Sequence, residues 1–478
     1  MELNQEIKKL AIVLDNKESN QFDEDKPKRY LRRIITTGII SFFLILVIVY
    51  TLPMTVLSVK SLFEYSTIVA LVIFLFVLLF RYFAILLLAY LYINQYTYTA
   101  PLGGYFPFVS ILVPVYNEEK VVADSIKSLL NLNYPNYEII VINDGSSDRT
   151  KEVAETLVGY QKGKFSDVKV SLINKPNGGK AKALNAGIKL SKAEIVLCMD
   201  GDSQLSPDSV KLAVRHFATR EIGAVAGNVK VLNRGKLFTD LQALEYIEGL
   251  NMARSAQSFV RLVNIIPGPI GFFRKKAIEE AGFYSSDTFA EDADLTLKIL
   301  ANGWKIYYEP NSISYTEAPA KLQQLLKQRY RWTRGILQAI RKHKRHLVNP
   351  TVNFNNSVIL WQMFYEALIW PAMNIFVNLY FIIIALFYGL SSFIFLWWIG
   401  IAVLDLMAAV YCIAAEKEEF RLVPYAIIYR VVFILLIDVT KAMATVEEFL
   451  GIRMTWGKLE RAGLEGSPKT ANNTAGAR

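Results

Sequence analysis

At 478 residues the chain is too long for one ordinary domain, and 53% apolar content with a mean hydropathy of +0.27 excludes an ordinary soluble protein. The net charge of +10 is local: residues 321–346 hold nine Lys or Arg and no acid. Cys198 and Cys412 lie far apart, each in an apolar run, which argues against a disulfide framework, and three histidines without cysteine partners argue against a zinc site.

Residues 1–33 read as a polar cytoplasmic tail with no signal peptide. Lys26, Lys28, Arg29, Arg32 and Arg33 precede an apolar run from Ile34 to about Val59, and a second run covers about 66–94. Each is long enough to span a bilayer, which needs roughly 20 residues. The basic cluster places the N-terminus in the cytoplasm. The two spans form a hairpin over residues 34–95, so the next segment is expected on the cytoplasmic side. Arg81, inside the second span, is either a functional intramembrane charge or a snorkelling one.

Residues 107–346 change character. Short apolar runs bounded by turn residues alternate with amphipathic stretches. Strands are expected at Val109–Val115, Glu138–Ile142, Val168–Ile173, Ile195–Met199, Ala224–Val231 and Lys305–Glu309, with helices near Glu119–Leu130 and Thr150–Tyr160. This predicts an α/β domain with a mostly parallel sheet and helices on both faces. Ligands of such sheets bind at the carboxyl ends of the strands.

Acids gather at those ends. The first strand runs into Tyr116-Asn117-Glu118, the second into Asp144 and Asp148, the fourth into Asp200-Gly201-Asp202. Alone, Asp-Gly-Asp reads as a polar turn, Asp148 as a helix cap and Glu118 as a helix opener. Separate explanations do not account for carboxylates meeting on one rim, where oxygen ligands suit a hard divalent cation. Asn177-Gly178-Gly179-Lys180 then precedes a helix, and free amides with a lysine suit a phosphate. Pro267-Gly268-Pro269 makes a stiff turn. Glu291-Asp292 opens a helix, where Asp292 is either a cap or a general base. In the basic stretch, Gln328, Arg331 and Trp332 share one helix side. Arg341, Lys342, Lys344 and Arg345 fit an anionic membrane surface.

In this order, Glu118, Asp144, Asp200-Gly201-Asp202, Glu291-Asp292 and Gln328-x-x-Arg331-Trp332 resemble the membrane-embedded, processive family 2 glycosyltransferases, the synthases of cellulose, hyaluronan, chitin-type oligomers and poly-N-acetylglucosamine. The resemblance covers residues 107–346 and the flanking apolar helices. It implies a GT-A-like, nucleotide-binding domain. Tyr116, Glu118, Asp144, Lys180, Asp200, Gln328 and Arg331 would hold the donor. Asp200 and Asp202 would hold magnesium or manganese. Asp292 would be the base, and Gly268, Pro269, Glu291 and Trp332 would frame the acceptor. Inversion at the sugar carbon gives a β-linked product. Ala290 stands where the family commonly has Thr before Glu-Asp. The expected donor is UDP-N-acetylglucosamine, with UDP-glucose next. The expected partners are that donor, a growing glycan or lipid acceptor and membrane lipids, with accessory secretion subunits as further candidates and no nucleic acid. A transferase adding one sugar to a lipid, and a transporter or receptor with a nucleotide-binding domain, are the competing readings.

Residues 354–450 are expected to form an interfacial helix with three or four membrane spans, followed by a tail over 451–478. Gln362 and Glu366, four apart on an aromatic face, fit an interfacial or pore-lining helix. Arg430 and Asp438 suggest an intramembrane pair or a polar path. The expected location is the plasma (inner) membrane, multi-pass, with the catalytic domain in the cytoplasm.

Overall fold

The computed structural model describes residues 62–99, 104–351, 353–388 and 392–452. The expected first span at 34–59 and both tails lie outside these residues.

The central domain is built on one nine-stranded sheet: β1 (Val109–Val115), β2 (Tyr137–Asn143), β3 (Gly159–Lys162), β4 (Asp167–Asn174), β5 (Ile195–Cys198), β6 (Ser203–Leu205), β7 (Ile222–Val231), β8 (Gly271–Arg274) and β9 (Lys305–Thr316), in the order β3-β4-β2-β1-β5-β8-β7-β9-β6. β1 is buried along its whole length because alternate side chains feed two cores. Ile111, Val113 and Val115 join one cluster with Val122, Ile126 and Leu129 of the Val122–Leu130 helix. Leu112 joins the other with Ala181, Leu184 and Ile188 of the Lys180–Leu190 helix. Helices therefore cover both faces, which a parallel sheet requires.

Parallel ladders join β1 to β2 and β5, β2 to β4, and β7 to β9. The sheet is mixed beyond that. β8 runs antiparallel between β5 and β7, and β3 and β6 are antiparallel edge strands on β4 and β9. These three short strands have no counterpart in the hydrophobic pattern of the sequence. The chain leaves β1 towards β2 and β4, then returns to place β5 on the other side of β1. That reversal opens a crevice at the carboxyl ends of β1 and β5.

Among the described residues, three helices are long and apolar enough to cross a membrane: Val72–Ile93, Phe354–Phe387 and Trp398–Ala415. Phe76, Phe80, Leu386 and Phe387 project outward and exposed, as side chains meeting lipid do. The domain core continues into the helical region, since Cys412, Tyr429, Phe433 and Ile437 belong to the same buried cluster as β1.

Candidate active site

The crevice between β1 and β5 collects the first acids. After β1, the Glu118 carbonyl accepts from the Val121 and Val122 amides, each at 3.0 Å, so Glu118 closes the turn that leads into the Val122–Leu130 helix rather than opening that helix itself. Its carboxylate lies against Gly201. A Cβ there would collide with Glu118 Oε2 and would stand 2.8 Å from Val115 Cγ1. Glycine between the two aspartates is what admits Glu118 to the turn. Asp202 is buried beside it, and Tyr116 is exposed at the rim. Asp148 Oδ1 accepts from the Thr150 amide at 3.0 Å, one residue ahead of Arg149, which stands at the N-cap of the Thr150–Glu155 helix.

Asp144 is buried and paired with Lys175. It also accepts from the amides of Gly178 at 3.0 Å and Gly179 at 2.7 Å. Those amides, expected to face a phosphate, are turned to Asp144 instead, because a buried carboxylate has to be satisfied. Lys180, the first residue of its helix, carries the phosphate-binding potential of the loop. Its Nζ lies 2.5 Å from Asp200 and 3.3 Å from Glu291. Burial lowers its pKa, but Asp200 and Glu291 outweigh that and hold the ammonium charged. The Pro267-Gly268-Pro269 turn closes over this pair. A Cβ on Gly268 would sit 2.7 Å from Lys180 Nζ and 3.1 Å from Asp200 Oδ2.

Asp292, in the first turn of the Glu291–Ala301 helix, shares a pocket with Lys180, Cys198, Gly268, Tyr284 and Glu291. Burial and the adjoining Glu291 charge push its carboxyl up to about 6, against the pull of Lys180. That value suits a group that takes a proton near neutrality. Its helix is anchored two residues on. The fully buried Asp294 pairs with His343 at 2.9 Å and with Lys298 and Lys342 at 3.0 Å each. Lys342, expected at the membrane surface, is therefore a structural partner. Arg341, Lys344 and Arg345 are exposed.

The Leu322–Lys342 helix carries Gln328, Arg331 and Trp332, none of which lines the Asp292 pocket. Gln328 is buried, and its Oε1 accepts from Arg329 at 2.6 Å. Arg329 makes two bonds to Glu245, at 2.5 and 3.2 Å, and its guanidinium lies 4.2 Å from the centroid of the half-buried Trp332 ring. One face of Trp332 is thus already stacked. Glu245 and Arg329 were not foreseen. Their 84-residue separation leaves no local pattern to detect.

A cavity of about 300 Å³ lies between the domain and the apolar helices. Arg254, Gln257 and Ile265 face it from the domain, and Arg81, Gln362 and Glu366 from the other side. Arg81 pairs with Glu366 at 2.7 Å and stacks on Trp370, so it does not snorkel. Arg430 and Asp438 also line the cavity but do not pair with each other: Arg430 meets Asp405 at 3.0 Å, and Asp438 accepts from Asn374 at 2.8 Å.

Among the described residues no group of three or more His, Cys, Asp or Glu could hold a metal ion alone. Asp200 and Asp202 offer carboxylate oxygens on either side of one glycine. Two carboxylates completed by substrate phosphates is how magnesium is commonly held, so the donor set fits a hard cation that arrives with a diphosphate.

A mixed sheet with its crevice at the β1–β5 switch and acids on the rim and beyond it defines a GT-A-like domain. Residues 110–282 match the family described as Glycosyl transferase family 2. The chain is 35% identical over 228 residues to a poly-beta-1,6-N-acetyl-D-glucosamine synthase of Staphylococcus epidermidis, covering 48% of this chain and 54% of the relative. It is 32% identical over 228 residues, with the same coverage, to the protein of that name from Staphylococcus aureus. The chain thus spans about half the length of the curated relatives it matches. A mannosyltransferase from Pyrobaculum calidifontis, solved in complex with GDP-Man and Mn2+, shares the fold with a TM-score of 0.52 at 20% identity, over 73% of this chain and 89% of that one.

Proposed function

We propose that the protein is a membrane-embedded, inverting glycosyltransferase that builds a β-linked polysaccharide from a UDP-sugar on the cytoplasmic side of the plasma membrane. UDP-N-acetylglucosamine is the preferred donor, in keeping with the names of the relatives. The observation that carries this reading is the placement of Asp292. It shares a pocket with Lys180, which pairs with Asp200, and the larger cavity begins at Ile265.

The chemistry follows from these groups. An acceptor hydroxyl oxygen attacks the anomeric carbon of the donor while the bond from that carbon to the diphosphate oxygen breaks. Asp292 takes the hydroxyl proton. Lys180 meets the negative charge that develops on the departing diphosphate. Asp200 and Asp202 would hold magnesium or manganese, which supplies Lewis-acid stabilisation of the same charge. Glu118 and Asp144 shape the nucleoside end of the crevice, Asp144 by pinning the Gly178-Gly179 loop. Trp332, half-buried with Arg329 stacked on it, frames the acceptor. The polar-lined cavity then gives the growing chain a way towards the membrane helices.

The test is purified protein in nanodiscs, given a panel of UDP-sugars with magnesium or manganese. UDP release and a product sensitive to a β-N-acetylhexosaminidase are expected. Release of no UDP from any donor, or a product of one added sugar, overturns the reading.

A further inference from the structure

Among the described residues, most charged groups around the cavity are paired; Glu248, whose Oε1 is buried without a partner, and Arg254 are not. Arg81 faces Glu366, Arg430 faces Asp405, Lys441 faces Asp438 and Arg329 faces Glu245. Arg254, in the Met252–Phe259 helix, has no carboxylate partner among the described residues. It is 7% exposed, lines the cavity, and makes two long bonds to neutral oxygens: Nε to the Ile265 carbonyl at 3.4 Å and a terminal nitrogen to Asn251 Oδ1 at 3.3 Å. A guanidinium has five N–H donors, so most of its capacity is unused. A buried cation held this loosely is costly, and a ligand that brings oxygens offsets the cost.

Its position ties it to the reaction. The Ile265 carbonyl accepts from Arg254. The next amide, Ile266, donates to Thr296 Oγ1 at 3.1 Å, and Thr296 Oγ1 donates to the Asp292 carbonyl at 2.7 Å. Ile265 faces the larger cavity, and Ile266 faces the Asp292 pocket. Arg254 therefore stands where the two spaces meet, one loop away from the base. Burial lowers its pKa, and Tyr308 and then Asp292 oppose this.

We infer that Arg254 binds the acceptor, donating N–H groups to a hydroxyl or amide oxygen of its terminal sugar while that sugar's attacking hydroxyl faces Asp292. The site takes a neutral, oxygen-rich glycan end, and Gln257 and Gln362, bonded to each other at 3.3 Å from the two sides of the cavity, supply the polar lining beyond it. The inference rests on the synthase reading above.

The test compares wild type with Arg254→Gln and Arg254→Lys in nanodiscs. UDP-N-acetylglucosamine and a short β-linked N-acetylglucosamine oligosaccharide are titrated separately, and UDP affinity is measured by calorimetry. Loss of charge-assisted bonds is expected to raise the acceptor KM about tenfold in Arg254→Gln and less in Arg254→Lys, with UDP affinity unchanged. An acceptor KM within about twofold of wild type in Arg254→Gln overturns the assignment. Loss of UDP affinity in both variants also overturns it, by giving Arg254 a structural role. Absence of UDP release by the wild type overturns the synthase reading, which is a different outcome from a turning-over wild type matched by Arg254→Gln.

Discussion

At the scale of single residues, the proposed base is Asp292, and its ionisation gives a signed prediction. A general base works only when deprotonated. With the carboxyl raised to about 6, the rate is expected to climb as pH rises through about 6 and to level off above it. A general acid would show the opposite limb. Asp292→Asn removes the proton acceptor at nearly constant shape, so turnover is expected to fall about 10³-fold while UDP binding stays intact. Full UDP release in that variant would sink the assignment. Lys180, Asp200, Glu291 and Asp292 were legible in the sequence because each sits at a strand end or a helix start, where local pattern fixes the backbone. Arg254 and the Glu245–Arg329 pair were not, since their meaning depends on contacts between distant segments. The run Arg254-Ser255-Ala256-Gln257-Ser258 is buried despite its polarity. A polar run inside a helix with no solvent face was the available signal.

At the scale of elements, the parallel half of the sheet was readable because β1, β2, β4 and β5 are compact apolar runs separated by helices. β8 was not, because its four residues Gly271–Arg274 follow a Pro-Gly turn and are too few to show a period. Two interhelix contacts set the base. Gly335 of the Leu322–Lys342 helix lies against the Phe289-Ala290 backbone, and a Cβ there would stand 2.6 Å from the Ala290 amide nitrogen. Gly335→Ala is expected to push the Asp292 loop away and cut kcat about 10²-fold, with UDP affinity retained. Steady-state kinetics beside calorimetry separates the two effects. Asp294→Ala acts differently. It strips the fully buried carboxylate from His343, Lys298 and Lys342, of which Lys342 keeps Asp287 and the part-buried Lys298 keeps no acid among the described residues. A loss of about 3 kcal/mol is expected, read as a lower midpoint in thermal unfolding.

At the scale of the whole molecule, the base pocket, the 300 Å³ cavity and the apolar helices form a sequence of spaces, and that order separates polymer synthesis from single-sugar addition. An enzyme that adds one sugar needs room for one acceptor end. A synthase also needs room behind the reaction for what it has just made. Gly249 allows this to be tested without touching any group assigned to donor or base. It lines the cavity, and an added Cβ meets nothing within 4 Å, so a side chain there enters open space rather than packed protein. Gly249→Ala is expected to be silent, or slightly stabilising through helix propensity. Gly249→Trp places an indole in the path. If the cavity carries the product, the Trp variant keeps UDP affinity and adds the first sugars to a short acceptor, but its products shorten to a few residues on a sizing column. Wild-type polymer length from the Trp variant would mean that the product leaves by another route. The apolar helices would then anchor the domain without conducting its product.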